Sequence, residues 1–380
     1  MKTGTFMEEE YGLKGNPFLD RIAREVWLQT WVDRDEEVND WRRIIAAAAS
    51  GGRNHMVFVI GDYGRGKTLS LLKIVDDAGQ YPRVLTSYLN FKGEERPRSP
   101  GLDFLFRVFK SVDFQQLAGN RTEVELTKAI DSLPTDLQEV KLVLKKIYFG
   151  DAEVSRLAAY FVRGEGRGLV SELRKLGVLR KIDGIDVGKE YLAGLLGFIR
   201  ALGFSTFLLA VDEFEYLFSL VTRPQQAVYL ALLRGLYDFP QGFSREVGPI
   251  AGMAFFIAVS EDGWRNLLEM QNTEKASGGP IQPLLDRVDC TSVLGAFDRA
   301  ETRELIEKRL SYDRVQGKHL NEPLIPFTED FVDFIFDETG GEPRKTIVRC
   351  AHVLDAGLAH GVARLDRKFA EETLEDRGWS

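Results

Sequence analysis

Apolar residues recur along this chain in two rhythms, short continuous runs and longer stretches spaced at three and four residues. Met56–Ile60, Phe207–Val211 and Ala254–Val259 are continuous runs of the kind found in strands covered on both faces by helices. Val84–Leu89, with its β-branched and aromatic residues, reads as another buried strand. Between these runs the spacing predicts helices over Asp35–Ala49, Leu102–Leu117, Thr122–Phe149 and Gln225–Phe239, the last closed by Pro240. Strands alternating with helices imply an α/β fold with a parallel sheet. From Arg299 onward the pattern is wholly helical, with segments near 299–311, 328–338, 343–360 and 367–376. That change predicts a small C-terminal helical domain over 299–380, after an α/β core over 56–298.

Residues 1–55 read as a lead-in, an irregular Gly12–Phe18 segment followed by a helix expected to lie against the core. Lys92–Gly101 is a charged loop bearing Pro and Gly, and about 102–200 is expected to be a helical insertion ahead of the third strand. Gly164-Glu165-Gly166 follows a helix-like segment rather than a strand, so it is given a loop and no chemical role.

The third strand pattern is preceded, far upstream, by the sequence that carries the chemistry. Directly after Ile60 the chain reads Gly61-Asp62-Tyr63-Gly64-Arg65-Gly66-Lys67-Thr68-Leu69, a G-x-x-x-x-G-K-[ST] loop between a buried strand and a helix. Glycines let backbone N–H groups approach a polyphosphate, and the helix aims its positive end there. Lys67 then contacts the β- and γ-phosphates, and Thr68 supplies a hydroxyl to Mg²⁺. Asp212 and Glu213 stand at the carboxyl end of the Phe207–Val211 run, the edge of a parallel sheet where ligands sit. Asp212 is expected to hold a Mg²⁺-bound water, and Glu213 to orient and deprotonate the attacking water. Glu215 is assigned to a helix start or salt bridge.

Composition narrows the setting. The 380 residues, 44% of them hydrophobic, suffice for about two or three packed units. No apolar run approaches a membrane span, and Met7-Glu8-Glu9-Glu10 lacks the character of a signal peptide, so a cytoplasmic protein is expected. Cys290 and Cys350 are the two cysteines, which excludes a disulfide framework; Cys350 and His352 point to different helix faces and form no metal site. With 50 basic and 58 acidic residues the net charge is −8, which argues against a surface coated with nucleic acid. A local basic excess remains in Arg163, Arg167, Arg174, Lys175, Arg180 and Lys181, either a solvated face or a nucleic-acid or partner contact.

With these residues in view, the chain resembles the AAA+ ATPases, and among them the replication-initiator clade that includes archaeal origin-recognition proteins. Trp31 to Val38 is similar to that clade's V-x-R-x-x-E segment, which implies that Val32 and Arg34 lie near the adenine. Gly61–Thr68 looks like its Walker A loop and Asp212-Glu213 its Walker B pair. The resemblance implies a polar sensor at Ser260, a lid sensor at Arg344 in Gly341-Glu342-Pro343-Arg344, and a polar residue at Asn90 that restrains the catalytic glutamate. Arg287 resembles an arginine finger that completes a neighbour's site; a surface ion pair is the alternative. A closer similarity, between Phe161 and Phe218, is to the ATP-binding proteins of phage-exclusion (BREX) systems; it includes a helix over Leu173–Leu179. Initiators append a winged-helix DNA-binding domain after the lid, and none is expected here.

The resemblance implies an ATP-hydrolysing switch or motor that uses Mg²⁺, acts as a homo-oligomer or with an AAA+ partner, and works at DNA in genome maintenance, transposition or phage defence. A signalling or scaffold switch, which binds ATP or ADP and turns over slowly to control assembly, is the rival. A protein unfoldase and a small-molecule kinase are less well supported.

Overall fold

A computed structural model describes the chain except residues 1–5, 21, 23, 33, 52, 92–98, 166–175, 179, 221, 248, 275–280 and 376–380. Asp33, Gly166, Arg167, Leu173, Arg174, Lys175 and Leu179 therefore lie outside the described residues.

The four apolar runs become strands β1 (His55–Ile60), β2 (Val84–Asn90), β3 (Thr206–Asp212) and β4 (Gly252–Val259), joined by β5 (Cys290–Val293). They form one sheet in the order β2-β3-β4-β1-β5. The pairs β2–β3, β3–β4 and β4–β1 are parallel. Every residue of β1 and β3 is buried, which is why these strands read as unbroken apolar runs rather than as alternations. The fold is the helix-flanked α/β sheet that the sequence implies.

Between β2 and β3 lie helices at Pro100–Ser111, Phe114–Ala118, Glu123–Asp131, Gln138–Phe149, Ala152–Val162 and Ile185–Ala201. The two long helices expected over 102–117 and 122–149 are each broken. Asp113 caps a new helix by accepting the N–H groups of Gln115 and Gln116, and Pro134 follows the end of the Glu123–Asp131 helix. Pro240, in contrast, does not close its helix, which runs from Arg223 to Val247. A proline removes one bond from the ladder, and the flanking bonds can still carry the helix past it.

The chain divides into two compact units, one of Glu37–Ile60 with Ile74–Ser292, the other of Met1–Glu36, Gly61–Lys73 and Val293–Ser380. The first holds the sheet and the helices between β2 and β3. In the second, Tyr11, Leu13 and Phe18 share a buried core with Ile306, Leu310, Phe327, Phe331 and Leu354. The N-terminal stretch is thus built into the helical unit, whose C-terminal part holds the helices Arg299–Tyr312, Glu329–Thr339, Pro343–His360 and Arg367–Glu375.

Candidate functional site

The phosphate-type loop belongs to the helical unit. After Gly61 the chain turns, with the N–H of Arg65 donating to the Asp62 carbonyl at 3.2 Å. Gly64 and Gly66 take φ values of 88° and 94°, a region that side chains disfavour, so the motif's glycines are what this turn requires. The helix Lys67–Gly79 follows at once, with the N–H of Ser70 bonded to the Gly66 carbonyl at 2.9 Å. Its first turn holds Lys67, Thr68 and Leu69 half-buried, and the start of a helix carries the positive end of its dipole, which favours an anion. The Lys67 ammonium curls back to donate to the Gly61 carbonyl at 2.8 Å.

Two distant segments hold this loop inside the same unit. Arg34 donates to the carbonyls of Arg65 at 3.1 Å and Gly295 at 3.2 Å, and its guanidinium lies 5.0 Å from the Phe297 ring centre. Val32 beside it is buried. At the start of the helix Pro343–His360, Arg344 stacks over the ring of Tyr63 at 4.5 Å, although Tyr63 itself is 70% exposed. A methyl group on Gly64 would meet the Glu342 carboxylate at 2.7 Å, so the loop and the Gly341–Arg344 segment are in direct contact.

The acidic strand end belongs to the sheet unit. Parallel register sets Ile60 opposite Val259, Val211 opposite Ile257 and Asn90 opposite Asp212, so the carboxyl ends of these strands share one sheet edge. Asp212 is buried, yet both carboxylate oxygens accept hydrogen bonds: Oδ1 from the Glu213 backbone N–H at 2.9 Å, Oδ2 from the Tyr88 phenol at 2.6 Å. Burial, and then the charge of Asp212, push the Tyr88 pKa well above its ordinary value, so the phenol stays protonated as a donor. Glu213 has φ 59°, an uncommon value for a residue with a side chain. Its neighbours fix it there: the N–H of Phe91 bonds the Asp212 carbonyl at 2.8 Å, and the N–H of Phe214 bonds the Ala258 carbonyl at 3.2 Å.

Ser260 follows β4 and accepts the N–H of Gly263 at 3.1 Å, capping the helix Glu261–Glu274; its hydroxyl keeps a hydrogen to donate. Asn90 is exposed at the end of β2. Arg287 forms a two-pronged ion pair, Nε and Nη2 each 2.7 Å from the Asp238 carboxylate, and this bond raises its pKa. Of the basic stretch, Arg163 donates to the Val112 carbonyl at 3.2 Å and Arg180 pairs with Glu190, so these two are held within their own unit.

Tyr88 and Asp238 are the residues that sequence reasoning missed. Tyr88 lies two positions before Asn90, on the same face of β2, but that face points at Asp212 only because β2 pairs with β3. Nothing in the spacing marks Asp238, which is 49 residues from Arg287.

Within its own unit each of Asp212 and Thr68 offers hard oxygen, the donor type that Mg²⁺ takes. Among the described residues no cluster of three or more His, Cys, Asp or Glu is arranged to hold a metal. No helix among them is long and apolar enough to cross a membrane.

Residues 113–272 match the family of BREX system ATP-binding protein BrxC/D. The match contains Asp212, Glu213 and Ser260, and it bears out the similarity read between Phe161 and Phe218. The chain is also 29% identical over 98 residues to a Methanocaldococcus jannaschii protein named as an uncharacterized HTH-type transcriptional regulator, MJ0774. That alignment takes in 26% of this chain and spans 23% of the relative's own length. Solved structures that resemble it include Cdc6p from Pyrobaculum aerophilum, at 12% identity and TM-score 0.48 over 94% of this chain and 70% of that one. The Thermotoga maritima RuvB Holliday junction branch migration motor gives 13% identity and TM-score 0.40 over 91% and 70%.

Proposed function

We propose that the protein binds ATP with Mg²⁺ and hydrolyses it as an AAA+ switch or motor, acting as an oligomer at DNA. The observation that carries this reading is a glycine-built loop running from β1 into a helix N-terminus, with an acid pair closing β3 of the same sheet. In this role the loop's N–H groups and Lys67 offset the β- and γ-phosphate charge. Thr68 and the Asp212 carboxylate provide oxygen for the cation and its water. Bound Mg²⁺ supplies charge neutralisation on the phosphate oxygens. Glu213, at a left-handed backbone position after β3, takes the proton of the attacking water. Arg344, which stacks on Tyr63 in the loop, is suited to sense the γ-phosphate, and Val32 and Arg34 to flank the adenine. Ser260 donates its remaining hydrogen towards the reacting phosphate, and Asn90 restrains Glu213 between turnovers. The match to a BREX ATP-binding family supports work in phage exclusion, and the regulator-like relative supports an association with DNA.

The test is nucleotide binding and turnover by the parent and by Lys67→Ala, both checked for fold. Loss of ATP binding in the variant is expected, because a point charge facing the phosphates is gone. Near-parent turnover by folded Lys67→Ala would overturn the assignment.

One observation favours the slower switch. The fork of Arg287 is engaged by Asp238 of its own chain, so it must leave that pair before it can serve a neighbour. A turnover rate that DNA or a protein partner strongly stimulates identifies the motor; slow turnover with nucleotide-controlled assembly identifies the switch.

A further inference from the structure

The carboxylate at the end of β3 is fixed from two sides, and one of those sides comes from a residue to which neither the motif nor the family resemblance gives a role. We propose that Tyr88 is a positioning residue: its phenol locks the Asp212 carboxylate, and through it the backbone of Glu213, in the orientation that cation binding and water activation need. This inference rests on the Mg²⁺–ATP reading of Asp212 and Glu213.

The geometry is continuous from strand to strand. Side chains at two-residue intervals share a strand face, so Tyr88 and Asn90 lie on one face of β2, and Asn90 is the register partner of Asp212. The phenol therefore extends along the sheet towards the strand end and donates to Asp212 Oδ2 at 2.6 Å, in the range of a charge-assisted bond. The opposite oxygen, Oδ1, accepts the Glu213 N–H at 2.9 Å. Rotation of the Asp212 side chain would break both bonds together. Glu213 sits at φ 59°, a conformation that a residue with a side chain keeps only while its surroundings hold it. The phenol thus acts on Glu213 through Asp212. It does not block the cation's water, because each carboxylate oxygen has a second lone pair.

Tyr88→Phe keeps the ring and removes the donor. In the absence of nucleotide and metal, hydrogen exchange of the amides from Glu213 to Leu217 is expected to accelerate about tenfold, in line with loss of a bond to a charged group. In an Asp212→Ala background the same substitution should add nothing, since the phenol's acceptor is already gone. In nucleotide binding titrated with Mg²⁺, the half-saturating Mg²⁺ concentration should rise roughly three- to tenfold, with parent affinity regained at saturating Mg²⁺. A substitution that only loosened packing would lower affinity at every Mg²⁺ concentration and would accelerate exchange equally in both backgrounds. That pattern, or parent-like exchange and Mg²⁺ dependence in Tyr88→Phe, overturns the proposal. If the parent binds no nucleotide, the ATP reading fails, and with it the cation role; the exchange measurements then still decide whether Tyr88 holds the strand end.

Discussion

The phosphate-type loop and the acidic strand end solve opposite problems. The loop presents backbone donors at a half-exposed surface, with Tyr63 and Asp62 open to solvent, so water can satisfy whatever the protein does not. The strand end holds a carboxylate that is only 2% exposed, and a buried charge must find its partners in the protein. The loop accordingly depends on conformation, two left-handed glycines and a helix start, while the strand end depends on specific donors, the Tyr88 phenol and the Glu213 N–H. The lesson is that damage to the loop should remove binding, whereas damage to the strand end should, at saturating Mg²⁺, leave ATP bound and slow its use.

The sharpest way to break this contrast is Glu213→Gln. The amide keeps the shape and loses the base, so turnover should fall by about 10²- to 10⁴-fold while ATP binding persists. Turnover at the parent rate would mean that another group prepares the water, and the contrast would fail on its acidic side.

Next in size is Arg287→Ala: under the proposed finger role, hydrolysis should slow by about 10²-fold with binding nearly intact. Mixing Arg287→Ala with Glu213→Gln protein should restore part of the activity if the arginine works on a neighbouring subunit. A protein that stays monomeric with ATP at every concentration, yet hydrolyses it at full rate, would sink the trans arrangement. The Asp238 ion pair would then be the whole of the arginine's role.

The smallest effect concerns the support of the loop rather than its chemistry. Gly341 precedes Glu342 and Arg344, has φ 68°, and an added methyl would fall 1.9 Å from the Phe297 carbonyl oxygen. Gly341→Ala should therefore destabilise the protein by about 2–3 kcal/mol, read by denaturant unfolding, through backbone strain and overpacking. An unchanged midpoint would show that this segment yields easily and that the loop does not depend on it.

Much of this molecule was written locally. Met56–Ile60, Phe207–Val211 and Ala254–Val259 announced buried strands because a strand covered on both faces has no polar side to show. Gly64, Gly66, Lys67 and Thr68 announced their loop because a turn that needs positive φ, followed at once by a helix, is a property of a few consecutive residues. The C-terminal helices were legible from their periodicity almost to the residue. What the sequence could not hold was the pairing of residues far apart in the chain. It left Arg287 open between two roles, and only the fold brought Asp238 to it; it gave Tyr88 no role until β2 lay beside β3. The same is true of Tyr11, Leu13 and Phe18, whose burial among the C-terminal helices no local pattern encodes. Periodicity reports which face of an element is buried, but not against what, because that choice is made by all the elements packing at once.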